Sequence, residues 1–367
     1  MKIVILVRIL WSAGAQKIAI NEAIEFKRQG HDVELIFLRR GKTWKVYEDL
    51  LLKVNYRVIS KGRSSIFTGI YSFITGLFLP DRKGEGRIDY DLLRKFPKFI
   101  AGTKFDKIIC HDEWAGIAGK AAKKKLNIPY EVFLHERLGG LNLPIFGKMA
   151  EKYRMKVLSN ASRVYSITEK ISNDTFDRFG INPIPDPPGF EELSTVNVEK
   201  KANRIVSASM WDSGRNPFFF IELEKVLDNY EILLLGNWRN QEYYDLFMKS
   251  LPENSRIKIK TNISEDEKRQ LIGESKFLVR FGNMEYGLAT AVVESISYGT
   301  PVIINSELGT ADLVQKYKVG FVLQTADPIA VADILNSFKK EEYNQMLRNI
   351  NTLKKSWTWT DHVMKLL

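Results

Sequence analysis

The 367-residue sequence has one cysteine, Cys110, and four histidines. A single thiol excludes a disulfide framework and a cysteine-based zinc site, and it suits a reducing compartment. Four histidines leave little room for a His-rich metal centre, so no metal is expected. No apolar run reaches the roughly 20 residues of a membrane span. The nearest, Ile66 to Leu79, is interrupted by Thr, Gly and Ser. There is no G-x-G-x-x-G after the first strand pattern, so a dinucleotide cofactor is unsupported. Zinc fingers, RNA-binding aromatic signatures and long basic tails are absent, which places nucleic acid last among partners. Repeats and low-complexity segments are absent too. The first residues, MKIVILVRI, enter a strand pattern without a signal-peptide arrangement, and a cytoplasmic location is expected.

What is present is ordinary for a globular protein: 44% hydrophobic and 27% charged residues. The length predicts about two domains. The net charge of +11 points to an anionic partner, either phosphorylated substrates or an anionic membrane surface. Large apolar residues between Ile66 and Leu79, followed by Arg82, Lys83 and Arg87, read as an interfacial segment or as a buried helix of the first domain.

Taken in order, Ile3 to Ile9 is a branched apolar run suited to a parallel sheet. A small-residue turn at Ala13-Gly14-Ala15 leads into a helix with Ile20, Ala23 and Ile24 on one side, ended by Gly30. Val33 to Leu38 completes a βαβ unit. Residues 40 to 105 are less regular. Lys107 to His111 and Tyr130 to Leu134 are further strands, each ending in a histidine with acidic neighbours, His111-Asp112-Glu113 and His135-Glu136. Carboxyl ends of parallel strands are where open α/β sheets hold ligands. The plainer reading of either histidine is a turn residue satisfied by backbone. Gly139 to Lys148 reads as a mobile loop, and Arg163 to Thr168 as a strand. The run from Asn182 to Phe190 holds four prolines, which excludes helix or inner strand and marks a domain linker. A second alternation follows, with strands at Arg204 to Ala208, Glu231 to Leu235, Arg256 to Lys260, Phe277 to Phe281, Val302 to Asn305 and Gly320 to Leu323.

Met284 to Asp312 carries the densest chemistry. A turn, Gly287-Leu288-Ala289-Thr290, feeds a short helix to Tyr298 that Gly299 closes as a left-handed cap. A turn leading into a helix N-terminus is a ready anion site. Glu294 lies one turn inside. It is placed either to reach a ligand held at the helix start or simply to stabilise the helix dipole.

Gly287, Leu288, Thr290, Glu294, Gly299-Thr300-Pro301-Val302-Ile303 and Gly309 resemble the nucleotide-sugar signature of retaining GT-B glycosyltransferases of the Glu-x7-Glu type (glycosyltransferase family 4, group 1). Ala13 to Lys17 resembles the family's Gly-Gly-Ala-Glu-Lys/Arg turn, although tight turning alone also explains Gly14. Trp211 to Pro217 resembles its Trp-Asp-x-x-Lys-Asn-Pro segment. The resemblance implies two doubly wound Rossmann-like domains facing an inter-domain cleft. Residues 1–190 would be the acceptor-side domain, with a C-terminal helix of about 352–367 packed back on it, and 203–351 the nucleotide-sugar domain. It implies that Glu294 holds the donor ribose, that His135 stands beside the donor sugar, and that Arg215 takes the place of a diphosphate-clamping Lys. Two positions depart from the pattern. Met210 stands where the clamp's Arg belongs, with Arg280 as a candidate replacement. Tyr286 stands eight before Glu294, so the first glutamate's role falls to Glu285 or is absent.

The expected catalytic residues are therefore His135, Arg215 and Glu285. The expected donor-binding residues are Gly14, Arg280, Gly287, Leu288, Ala289, Thr290 and Glu294. The resemblance implies a metal-independent hexosyltransferase-type enzyme without cofactor. It would move sugar from a nucleoside-diphosphate sugar to a glycan or lipid-linked acceptor, and would be peripheral to the inner face of a membrane if the acceptor is lipid-linked. Two other readings stay open: an epimerase or hydrolase of nucleotide sugars on the same fold, and a degenerate subunit that only binds nucleotide or glycan.

Overall fold

The first strand, β1 (Lys2–Leu10), is buried along nearly its whole length, as its run of branched residues demands. The computed structural model describes residues 1–11, 14–41, 45–60, 87–138, 144–190 and 203–367. They form two units, Met1–Pro188 with Trp359–Leu367, and Gly189–Thr358.

In the first unit β1 is joined by β2 (Asp32–Arg40), β3 (Tyr56–Ser60), β4 (Lys107–His111), β5 (Tyr130–Leu134), β6 (Val164–Ser166) and β7 (Ile184–Pro185). The strand order is β3-β2-β1-β4-β5-β6-β7 and every pair is parallel. The helices are α1 (Gly14–Arg28), α2 (Glu48–Leu51), α3 (Arg87–Ile100), α4 (Glu113–Leu126), α5 (Pro144–Ser159) and α6 (Glu169–Phe179). Local chemistry sets their ends. Asp112 accepts from the Ala115 amide at 2.7 Å to start α4, and left-handed Asn127 stops it. Thr168 accepts from the Ile171 amide to start α6, and Gly180 at φ 66° stops it. Helix α4 lies close on the sheet because Gly119 has no side chain. A Cβ there would stand 2.6–2.7 Å from the Tyr130 ring and the Cys110 sulfur.

Three sequence expectations change. Residues 40 to 105 include a strand, β3, and a helix, α3, whose half-exposed or charged residues hide the usual periodicity. The segment read as a loop to Lys148 is helical from Pro144, a residue well suited to the first helical position. Residues 139–143 of that segment lie outside the described residues, as do 61–86, which contain the apolar run Ile66 to Leu79. The proline run contributes β7 to the sheet edge, where a missing N–H is tolerated, and it buries Asp186 completely.

The second unit holds β8 (Arg204–Ala208), β9 (Glu231–Leu235), β10 (Ile257–Lys260), β11 (Phe277–Arg280), β12 (Val302–Asn305) and β13 (Gly320–Leu323). These too are all parallel, in the order β10-β9-β8-β11-β12-β13. Its helices are α7 (Phe219–Val226), α8 (Gln241–Ser250), α9 (Glu265–Gly273), α10 (Thr290–Ser297), α11 (Ala311–Tyr317), α12 (Pro328–Ser337) and α13 (Lys340–Ser356). Separate apolar layers form around the sheet, one with Trp211, Phe220, Phe247 and Phe277, the other with Val206, Leu278, Val292 and Ile304. Both sheets are doubly wound, as expected.

Trp357 stacks on Phe190 at 5.6 Å within the second unit. Two residues later α14 (Trp359–Lys365) belongs to the first unit, so the returning segment begins at Trp359, and α13 before it stays with the second. Val363 and Leu366 are fully buried, Tyr165 donates its hydroxyl to the Lys365 carbonyl at 3.0 Å, and Lys107 donates to that of Leu366. No helix among the described residues is long and apolar enough to cross a membrane.

Candidate functional site

Each sheet reverses its direction of growth once, between β1 and β4 in the first unit and between β8 and β11 in the second. Open parallel sheets hold ligands outside the carboxyl ends of strands at such points. The residues singled out in the sequence cluster there.

In the second unit, Arg280 is the last residue of β11, and Arg215 closes a short 3-10 turn, Ser213–Arg215, beyond β8. Both reach Glu285. Arg280 donates to its two carboxylate oxygens at 3.0 and 3.2 Å, and Arg215 pairs with the first of them. Arg280 is almost completely buried, whereas the Arg215 side chain is one-third exposed. Burial first, and then the neighbouring Arg215 charge, lower the Arg280 guanidinium to about 9. Two adjacent cations of which one is buried make a strong anion site, and Glu285 is the anion that fills it. Met210 is 42% exposed and forms no part of this pair.

The loop carrying Glu285 is built tightly. Asn305, at the end of β12, accepts from the Gly282 amide at 3.1 Å and donates to its carbonyl at 2.8 Å. Gly309 lets the following loop approach so closely that a Cβ would lie 2.1 Å from the Tyr286 carbonyl. Gly287 and Ala289 are buried, and Leu288 and Thr290 half-buried. Thr290 opens α10, and no side chain caps that end; Gly299, at φ 79°, follows its last turn as expected. Glu294 points to a partner the sequence reading missed, Lys268 of α9, at 2.6 Å. Lys268 lies in a charged stretch, Glu265 to Arg269, with no motif to set it apart.

In the first unit Gly14 opens α1, and His135 directly follows β5. His135 is not satisfied by backbone. Its Nε2 is 2.7 Å from Nδ1 of His111, and its own Nδ1 has no partner among the described residues. His111 Nε2 donates to Glu22 at 2.8 Å, and the other oxygen of Glu22 accepts from His362 Nε2 at 3.0 Å. His362 Nδ1 is 2.8 Å from Asp186, in a geometry too bent for a well-aligned hydrogen bond, and Lys365 donates to Asp186 at 2.8 Å. Burial alone would raise the Glu22 carboxyl, yet His111 and His362 hold it down at about 2. Burial lowers His135 to about 3. Burial would lower His362 too, but the close contacts and charges of Asp186 and Glu22 lift it to about 9. Asp112, beside His111, adopts φ 88° and ψ 164°, a backbone region left almost entirely to glycine. Of this row, sequence reasoning found only the two strand-end histidines. The available signal for Glu22 was a carboxylate among the core-facing positions of α1.

Residues 12–185 match the family described as Glycosyltransferase Family 4, and residues 191–356 match Glycosyl transferases group 1. The fold is GT-B, with two parallel-sheet Rossmann-like domains. Within that class, the chain belongs to the group 1, family 4 glycosyltransferases. It is similar to HepE of Anabaena, solved with UDP and glucose, with a TM-score of 0.74 and 14% identity over 100% of this chain and 98% of that one. Sucrose-phosphate synthase of Thermosynechococcus elongatus gives 0.74 and 12%, over 100% and 97%. WaaG, a glycosyltransferase involved in lipopolysaccharide biosynthesis, gives 0.67 and 12%, over 99% and 98%. No curated protein sequence matches significantly.

Proposed function

We propose that this protein is a retaining glycosyltransferase that takes a hexose from a nucleoside-diphosphate sugar and transfers it, without a metal ion, to a glycan or lipid-linked acceptor. The observation that carries the reading is the convergence of Arg215 and Arg280, from the two strands at the switch point, on one carboxylate. Such a pair supplies the positive charge that a leaving diphosphate requires, with the bidentate geometry of guanidinium. The uncapped start of α10 offers amide groups to the same kind of anion. Glu294 suits a ribose diol, and Lys268 pairs with it at 2.6 Å. HepE, solved with UDP and glucose, is consistent with a uridine donor. Glu285 either gives way to the diphosphate or turns to the sugar.

The same ion pairs favour a second reading, a subunit that binds nucleotide but does not turn over, because Glu285 already pairs with both arginines. Incubation of the purified protein with labelled UDP-, GDP- and ADP-sugars, with and without chelator, separates the two. Transfer with retained anomeric configuration supports the enzyme. Binding without any product supports the subunit, and free or epimerised sugar supports a hydrolase or epimerase.

A further inference from the structure

The row Lys365–Asp186–His362–Glu22–His111–His135 lies within the first unit, and apart from Lys365 its members are at most 8% exposed. Each link is between 2.7 and 3.0 Å. Buried charges must be balanced, because an unpaired ion in a low-dielectric interior is costly. Two carboxylates, Glu22 and Asp186, face two cations, His362 and Lys365. This balance leaves His111 and His135 neutral. At the edge of the row burial raises the Asp112 carboxyl to about 7, and the Arg8 charge draws it back down.

Neutrality then dictates where every proton sits. An ionised Glu22 has no proton to give, so His111 donates from Nε2 and keeps Nδ1 bare. A bare Nδ1 at 2.7 Å requires His135 to donate from Nε2. His135 is neutral and has then used its one N–H, so its remaining nitrogen is a lone pair. That nitrogen is the buried atom with no partner among the described residues.

We propose that His362 is a positioning residue that, through Glu22 and His111, holds the proton of His135 on Nε2, so that at the place beside the donor sugar that the family resemblance gives His135 its Nδ1 can only accept a hydrogen bond from a hydroxyl. The sugar hydroxyl rests on the function proposed above, whereas the proton arrangement does not. Without the His362 charge, two buried carboxylates face Lys365 alone. His111 then takes up a proton and donates from Nδ1, and His135 turns over to carry its proton on Nδ1.

Nitrogen-15 histidine labelling tests this directly, since the four histidines include only one, His31, outside the row. In the wild-type protein near neutral pH, long-range proton–nitrogen spectra should show His135 protonated at Nε2 alone and His362 at both nitrogens. A wild-type His135 protonated at Nδ1 overturns the proposal with no variant needed. In His362→Gln, His135 should switch to the Nδ1–H form, while His362→Lys, which keeps the charge, should retain the original form. An unchanged His135 in His362→Gln removes His362 from the role. The hydroxyl contact is read with UDP-, GDP- and ADP-glucose. The sugar nucleotide that binds should shift the His135 Nδ1 signal, and His362→Gln should weaken it about tenfold while leaving the bare nucleotide diphosphate unaffected. Equal weakening of both would mark a merely structural role. If none of the three binds, the nucleotide-sugar reading and the hydroxyl contact fall together, and the spectra still decide the proton arrangement.

Discussion

Arg280 donates to both carboxylate oxygens of Glu285, at 3.0 and 3.2 Å, from a position where only 6% of its own side chain is exposed. A carboxylate so placed holds the two arginines together, and it would compete with a diphosphate for them.

Glu285→Gln should therefore move two quantities in opposite directions. Thermal stability should fall, because a buried guanidinium loses its counter-ion at a cost of about 3 kcal/mol. Affinity for UDP, measured by calorimetry, should rise severalfold, since the nucleotide no longer displaces an internal anion. An unchanged UDP affinity would show that the arginines bind something else.

Arg215 is the more exposed of the two cations, and Arg280 keeps its own pairing with Glu285 when Arg215 is removed. Arg215→Ala should leave the fold intact and depress turnover by roughly a hundredfold or more, with a smaller loss of nucleotide affinity. Near-normal turnover would transfer the task to Arg280 alone.

Glu294 pairs with Lys268 at 2.6 Å at a largely buried position. If that pair presents the carboxylate to a ribose, Glu294→Gln should weaken nucleotide binding by about 1.5–3 kcal/mol. Lys268→Met should do so to a lesser degree. Full affinity in a folded Glu294→Gln protein would reduce the pair to a tie between α9 and α10.

The combined contribution of His135, Glu22 and His362 to the stability of the first unit should peak near pH 6.5. Asp112, whose carboxyl burial raises to about 7, instead weakens the fold progressively as pH rises from 3.8 to about 7. Below 6.5 the unfolded chain protonates His135 while the folded one, held near 3, does not, and stability is lost. Glu22 adds to this loss between 4.5 and about 2, because its carboxylate is favoured only in the fold. Above 6.5 the stabilising His362 charge is lost progressively as pH rises through about 9. Hydrogen exchange of residues 359–367 across this range reads both limbs. In His362→Gln the alkaline limb should disappear.

The segment Ile66 to Arg87 motivates a prediction from sequence alone. If it lies on an anionic membrane, flotation with anionic liposomes should succeed at low salt and weaken at high salt, at about 1 kcal/mol per nearby basic residue. Retention in the soluble fraction under every condition would point to a soluble acceptor.

The strands buried on both faces were legible to the residue. Lys107–His111, Tyr130–Leu134 and Glu231–Leu235 are short, mostly apolar runs that are buried almost throughout. Tyr56–Ser60 was not, because an edge strand with exposed residues has no such run. In the second unit Arg215, Arg280 and Glu285 emerged from local motifs, but their mutual pairing did not. The row beneath His135 was hidden for a different reason. His362 meets Glu22 across 340 residues of chain, and nothing within a motif-sized window joins a helix near one end to a helix near the other.

That long separation bears on how the protein is made. Residues 359–367 leave the ribosome only after the roughly 170 residues of the second unit, a delay of about 10–30 s at ordinary elongation rates. Throughout that interval a nascent first unit holds Glu22 and Asp186 without the His362 and Lys365 that neutralise them. Glu22 then has only His111 beside it and Asp186 loses both of its cations, which opposes closure of the core. The unit synthesised first is thus the one that waits longest to be finished, and a chaperone bound to nascent chains would meet it in its open state.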